Sequence, residues 1–109
     1  MPAGGKLEIV LSPYMEIDGI TASALVSRDG LLVESAGDVA DLETAAAVAA
    51  ATLASAAGLA RELGSGEPRL VALDLDGKGI VMAPLTAELF LLLLGGPAVL
   101  DLARQAQGV

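Results

Sequence analysis

The longest regular pattern in the chain runs from Asp41 to Gly64, DLETAAAVAAATLASAAGLARELG, where apolar and small residues follow one another without a proline and charge is confined to the ends. Asp41 offers a side-chain oxygen to a free amide of a first turn, and Gly64 offers a left-handed stop. The pattern therefore predicts one helix over Leu42 to Leu63, about 33 Å long at about 1.5 Å per residue. At about 100° per residue, Leu42, Val48, Leu53, Leu59 and Leu63 fall on one side with Ala45, Ala49, Ala56 and Ala60 between them, and this is the expected core face. The other side carries Ala47, Ala50, Ala51, Ala54, Ala57 and Gly58 where a wet helix ordinarily carries Lys and Glu, so both faces are expected to be covered.

Shorter patterns flank this helix. Met1 to Gly5 reads as a loose tail, and residues 6–109 as one domain. In Lys6 to Glu16, Leu7, Val10, Leu11 and Tyr14 recur at helical spacing while Pro13 removes a donor, which predicts a short, kinked helix. Ile20 to Ser27 is β-branched and apolar, Arg28-Asp29-Gly30 supplies a turn, and Leu31 to Ser35 returns, so a hairpin is expected with a loop over Ala36 to Ala40. Beyond Gly64 and the Pro68 loop, Arg69 to Asp76 alternates Val71, Leu73 and Leu75 against Leu70, Ala72, Asp74 and Asp76, the clearest strand pattern in the chain. Asp76 to Gly79 makes a tight turn into a strand over Ile80 to Leu85, with Pro84 marking an edge position or the strand's end. Leu89 to Leu94, LFLLLL, is apolar on both faces and belongs in the middle of a sheet covered on both sides. A last helix, Ala98 to Gln107, presents Val99, Leu102 and Ala106 on one stripe. Hairpins joined by helices in the order α-β-β-α-β-β-β-α imply an α+β domain with one mostly antiparallel five-stranded sheet.

Composition narrows the chemistry. A net charge of −8 with six Lys and Arg repels a phosphate backbone, and two aromatics give bases little to stack on, so nucleic acid is not an expected partner. With no Cys and no His, a disulfide framework, a thiolate site and the familiar triads are excluded, and no cofactor or metal is expected. The Ala-rich helix is long enough to span a membrane but lacks the Leu, Ile and Phe content and the basic flanks of a spanning segment. Nothing before Lys6 resembles a signal peptide, so the expected location is the cytoplasm.

The small motifs favour structural readings. Asp74, Asp76 and Gly77 lack the further acid and distal Glu of a calcium loop, and a β-turn accounts for them. Gly4-Gly5-Lys6 lacks the first Gly and the Ser or Thr of a phosphate loop. Ser23 and Ser27 have no partner base, and Arg28 beside Asp29 reads as a solvated turn charge rather than an arginine finger. Tyr14 and Phe90 read as core residues. No catalytic residue is expected, and the chain is not expected to be an enzyme.

The order of elements, the stretch Gly19 to Gly30, GITASALVSRDG, the Ala-rich helix and the final three strands together resemble the roadblock, or dynein light-chain, superfamily over nearly the whole chain. The resemblance implies a profilin-like α+β fold and a homodimer or heterodimer in which third strands pair edge to edge and long helices lie side by side. It also implies service to a small Ras-like GTPase, as in the bacterial gliding-motility GTPase-activating protein, without chemistry contributed by the module. Two functions follow as expectations: a homodimeric regulator of a small Ras-like GTPase, or a structural dimerisation scaffold with no effect on nucleotide turnover. The expected dimer strand carries Val71, Ala72, Leu73 and Leu75, whose unpaired amides would invite a second copy if the strand lies at a sheet edge. Ala47, Ala51, Ala54 and Gly58, at spacings of four, three and four, form a stripe that lets another backbone approach closely, for the dimer or for the GTPase. Helix propensity alone is the competing explanation of the alanines.

Overall fold

The computed structural model describes residue 11 and residues 13–107. The tail, with Leu7 and Val10 of the first predicted helix, lies outside the described residues; Leu11 and Pro13 to Met15 are helical. Five strands follow: β1, Ile20–Ser27; β2, Leu32–Gly37; β3, Val71–Asp74; β4, Gly79–Pro84; and β5, Leu89–Gly95. They form one sheet in the order β2-β1-β5-β4-β3, with every neighbouring pair antiparallel. The long helix spans Leu42–Glu62 between β2 and β3, and the last helix spans Ala98–Gln107. The architecture is the α+β fold expected, and β3 and β2 are its two edges.

The sheet has a cluster on each face. Ala24, Val26, Met82, Phe90 and Leu92 pack against Leu42, Ala46, Ala49, Ala50 and Leu53 of the long helix. On the other face Leu25, Val81, Leu91 and Leu93 meet Leu11 and Val99, with Tyr14 and Leu102 packed alongside. This two-sided burial explains the unbroken apolar run of β5, which occupies the centre of the sheet as predicted: Phe90 and Leu92 face one cluster, Leu91 and Leu93 the other. Phe90 is fully buried and Tyr14 half-buried, so both are core residues. Ser23 is also fully buried, and its hydroxyl has no hydrogen-bond partner among the described residues.

The long helix departs from its expected orientation. The buried set is Leu42, Ala46, Ala49, Ala50 and Leu53, whereas Val48, Leu59 and Leu63 are 61, 61 and 73% exposed. The larger side chains had pulled the expected core face toward themselves. In the structure Ala46 and Ala50 turn inward onto the sheet, and the β1–β2 turn packs so close to the helix that a Cβ on Gly30 would touch the Ala47 backbone. Asp41 is a second correction: it adopts φ 56°, ψ 36° and its side chain makes no capping bond, so only its carbonyl joins the helix, accepting the Ala45 N–H at 3.0 Å. The C-terminus behaves as predicted. Gly64, at φ 69°, donates to the Arg61 carbonyl at 3.1 Å and Ser65 donates to the Ala60 carbonyl at 2.9 Å, the paired bonds of a Schellman stop.

Strand boundaries shift for local reasons. β2 begins at Leu32 and runs on to Gly37, so the predicted loop shrinks to residues 38–41. β3 is only Val71–Asp74, because Pro84 closes β4. The Leu85 N–H donates to the Leu89 carbonyl, so ladder alternation turns the Pro84 nitrogen away from β5, toward where an extended β3 would need a donor.

Candidate functional site

The two edges carry different backbone chemistry. In β3 the register with β4 is regular, pairing Val71 with Met82 and Leu73 with Ile80, and the Leu75 N–H donates to the Lys78 carbonyl at 2.8 Å just beyond. Alternation of an antiparallel ladder then directs the N–H and C=O of Val71 and Leu73 to β4 and those of Ala72 and Asp74 outward. Val71 and Leu73 turn their half-buried side chains to the long-helix face, while Ala72 and Asp74 are exposed. Of the predicted dimer residues, Val71, Ala72 and Leu73 thus sit on an edge strand that is flat, free of proline and without a bulge, and Leu75 lies just beyond its end.

β2 is built otherwise. The register with β1 slips between Leu25 and Val26, leaving Val33 as an extra residue in a bulge. The Ser27 N–H donates to the Leu31 carbonyl, so alternation directs Ser35 outward, and its N–H is taken at 3.2 Å by the carboxylate of its own neighbour Glu34. Gly37 then leaves the edge at φ 96°. The donors of this edge were not readable in the sequence, since a side chain capping the next residue's amide has no spacing signature.

Beside β3 an apolar trough of about 200 Å³ opens between the long helix and the sheet, lined by Val48 and Thr52 on one wall and by Leu73, Leu75, Ile80 and Leu94 on the other. It exists because one helix, about 10 Å across, covers too little of five strands spaced about 4.8 Å apart. The Thr52 hydroxyl donates to the Val48 carbonyl at 2.9 Å, so the trough wall offers no free polar group there. Sequence reasoning missed this feature by assigning Val48 to the core; the signal for it was five strands served by one long helix on that face.

The small-residue stripe points elsewhere. Ala47, Ala51 and Ala54 are exposed and Gly58 is half-buried, on the side of the helix away from the sheet. The structure places Leu73 and Leu75 on the trough wall and Val71 against the long-helix cluster, and it separates all three from this stripe. Although the helix has the length and apolar content to cross a bilayer, its stretch from Leu42 to Leu53 supplies five buried residues to the sheet.

The turns at one end of the sheet form an open notch of about 700 Å³ around Ser27, Arg28, Asp29, Thr86 and Glu88. Several of its groups are tied to the fold, while the buried Arg28 Nε has no hydrogen-bond partner among the described residues. The Arg28 N–H donates to the Glu88 carbonyl at 2.9 Å, its Nη2 donates to the Thr86 carbonyl at 3.3 Å, and the Ser27 hydroxyl accepts the Leu31 N–H at 3.1 Å. Arg28 therefore clamps two hairpin turns together. Among the described residues no group of three or more acidic side chains is placed to hold a metal ion. The surfaces offer strand pairing and apolar contact, which are means of protein recognition.

Solved structures share this architecture. Over 72% of this chain and 66% of that one, it superposes on MglB of Myxococcus xanthus with a TM-score of 0.67 and 22% identity, so about two thirds of the Myxococcus protein's length is matched. The gliding protein MglB of Thermus thermophilus matches with a TM-score of 0.80 and 19% identity over 90% of this chain and 77% of that one. A Roadblock/LC7 domain from Streptomyces avermitilis gives 0.76 and 24% over 86% and 84%. No curated protein matches the sequence at a significant level. The model of the Roadblock/LC7 domain matches residues 6–95, with β1 to β5 and the long helix inside the match, and the chain belongs to the Roadblock/LC7 domain family.

Proposed function

We propose that this protein is a homodimeric regulatory module for a small Ras-like GTPase in the cytoplasm, and that it acts by binding, with the GTPase supplying the chemistry. The carrying observation is the regular β3 edge beside an apolar trough, both uncovered among the described residues, since both are surfaces for another polypeptide. Antiparallel pairing of two β3 strands about a two-fold axis makes an isologous, continuous sheet in which Ala72 and Asp74 of each copy supply the bonds. Family membership and the likeness of the fold to MglB support the choice of a GTPase as the second partner. A chain without His or Cys suits that role, because a regulator can reposition a GTPase's own groups.

The test is GTP hydrolysis by a Ras-like GTPase encoded beside this protein, measured alone and with the protein added. A changed turnover rate together with a dimeric mass supports the reading. A dimer that leaves turnover and nucleotide exchange unaltered assigns the protein to the scaffold class instead.

A further inference from the structure

We propose that Asp76 is a modification site: its carboxyl closes on the Gly77 amide and reopens as isoaspartate, a product that an isoaspartyl carboxyl methyltransferase takes as substrate. The inference goes beyond the functional reading above and does not depend on it.

In a chain without Asn, Asp-Gly is the step most open to this reaction, because glycine puts no side chain between its amide nitrogen and the preceding carboxyl. The Gly77 nitrogen attacks Asp76 Cγ, a C–N bond forms, and the hydroxyl of the acid leaves with the amide proton as water. Water then adds to the main-chain carbonyl of the resulting cyclic imide and breaks the original peptide C–N bond. The chain now continues through the side-chain carboxyl, and the α-carboxylate is set free. One water leaves and one enters, and nothing is oxidised or reduced.

The chain holds three such steps, Asp18-Gly19, Asp29-Gly30 and Asp76-Gly77, and the structure separates them. Ring closure needs the backbone to swing the following nitrogen onto Cγ, so a step reacts only as readily as its turn opens. The turn at Asp29 is held: the Gly30 N–H donates to the Ser27 carbonyl at 2.9 Å, the Leu31 N–H to the Ser27 hydroxyl at 3.1 Å, and the Arg28 N–H to the Glu88 carbonyl at 2.9 Å. Gly19 is wedged against the last helix: its carbonyl accepts the Gly96 N–H at 2.9 Å, and a Cβ on it would meet that of Ala98 at 2.8 Å. At Gly77 nothing lies within 4 Å of where a Cβ would stand, its N–H makes no backbone bond among the described residues, and Asp74 to Lys78 are all exposed. The Leu75 N–H, donating to the Lys78 carbonyl at 2.8 Å, is what closes this turn. Asp76 itself sits at φ 46°, a strained region for a residue with a side chain, so opening releases strain there. The product lengthens the main chain of the turn beside the Asp74–Gly79 pair, and the register of β3 on β4 loosens from that end.

The test is ageing of the purified full chain in neutral buffer at physiological temperature, then trypsin, then isoaspartyl methyltransferase with labelled S-adenosylmethionine on the separated peptides. Cleavage after Arg28, Arg61, Arg69 and Lys78 puts the three steps in different peptides, with Asp76 in Leu70 to Lys78. Label there is expected to exceed that in the other two together by about tenfold, since each hydrogen bond shifts a local opening by about two- to tenfold. Fragmentation is expected to place the label at Asp76 and not at Asp74. Asp76→Glu, which keeps the charge but would have to close a larger, less favoured ring, is expected to lose it, with circular dichroism checking the fold. Label spread evenly over the three peptides, label at Asp74, label retained in Asp76→Glu, or no label overturns the inference. Hydrogen exchange over Val71 to Asp74 is expected to quicken in proportion to the label; unchanged exchange overturns the effect on β3.

Discussion

The two edges of one sheet show how the same problem, a row of unpaired amides, is left open on one side and closed on the other. β3 has four residues in an unbroken register and keeps the N–H groups of Ala72 and Asp74 directed outward. β2 has six residues, yet a bulge at Val33, the Glu34 carboxylate on the Ser35 N–H and the positive φ of Gly37 leave it no flat, free stretch. Bulges and charges near an edge are common protections against unwanted pairing. Strand length is thus a poor guide to which edge is open to pairing; the state of the outward donors decides. The side with outward donors is also the side where, among the described residues, the long helix leaves the sheet uncovered.

The largest expected effect comes from Gly37. A Cβ there would collide with the Thr21 carbonyl and the Ala22 Cα, and φ 96° is a region L-residues rarely adopt. Gly37→Val is expected to cost about 3 kcal/mol of folding stability, read as a lowered urea midpoint, because backbone clash adds to backbone strain. A variant with the wild-type midpoint would show that β2 can end without that bend. The next effect is selective. Ala72→Pro removes one outward donor from β3 without touching the bonds to β4, and is expected to weaken self-association by about tenfold, near 1.4 kcal/mol. Ser35→Pro removes a donor that already has an intramolecular partner, so its mass in light scattering is expected to match the wild type. Equal behaviour of the two proline variants would erase the contrast between the edges.

Much of this was readable in the sequence, for physical reasons that also explain the misses. The alternation of Val71, Leu73 and Leu75 and the double-faced LFLLLL run encode which side of each strand is buried, and both placed their strands correctly. Gly64 signals its helix stop because positive φ is cheap for glycine alone. The core stripe of the long helix was misread because alanine is silent: Ala46 and Ala50 are buried and Ala47 and Ala51 exposed, and only the sheet decides between them. The trough is likewise a property of coverage, the width of a sheet against the width of one helix, and no local pattern encodes it. Asp41 failed as a cap because its left-handed backbone, an uncommon state for a non-glycine residue, carries the side chain away from the first-turn amides.

The smallest effect is the most direct test of how β2 is closed. Glu34 spends one carboxylate oxygen on the adjacent Ser35 N–H at 3.2 Å, a contact that stabilises the folded chain little, since an ordinary hydrogen bond contributes about 0.5–1.5 kcal/mol net. Its second consequence is negative: an incoming strand must displace the carboxylate before it can use that donor. Glu34→Ala removes the occupant and one negative charge together, and leaves Ser35 with a free, outward N–H beside the exposed Val33 and Leu31. The expected outcome is a small loss of stability, about 0.5 kcal/mol, together with species larger than the dimer as concentration rises. Glu34→Gln separates the two causes, because the amide oxygen can still accept the Ser35 N–H while the charge is gone. If Glu34→Gln stays at the wild-type mass and Glu34→Ala grows, the hydrogen bond closes the edge; if both grow, charge repulsion does. Should neither grow, the bulge at Val33 and the bend at Gly37 suffice by themselves, and the carboxylate is incidental to the difference between β2 and β3.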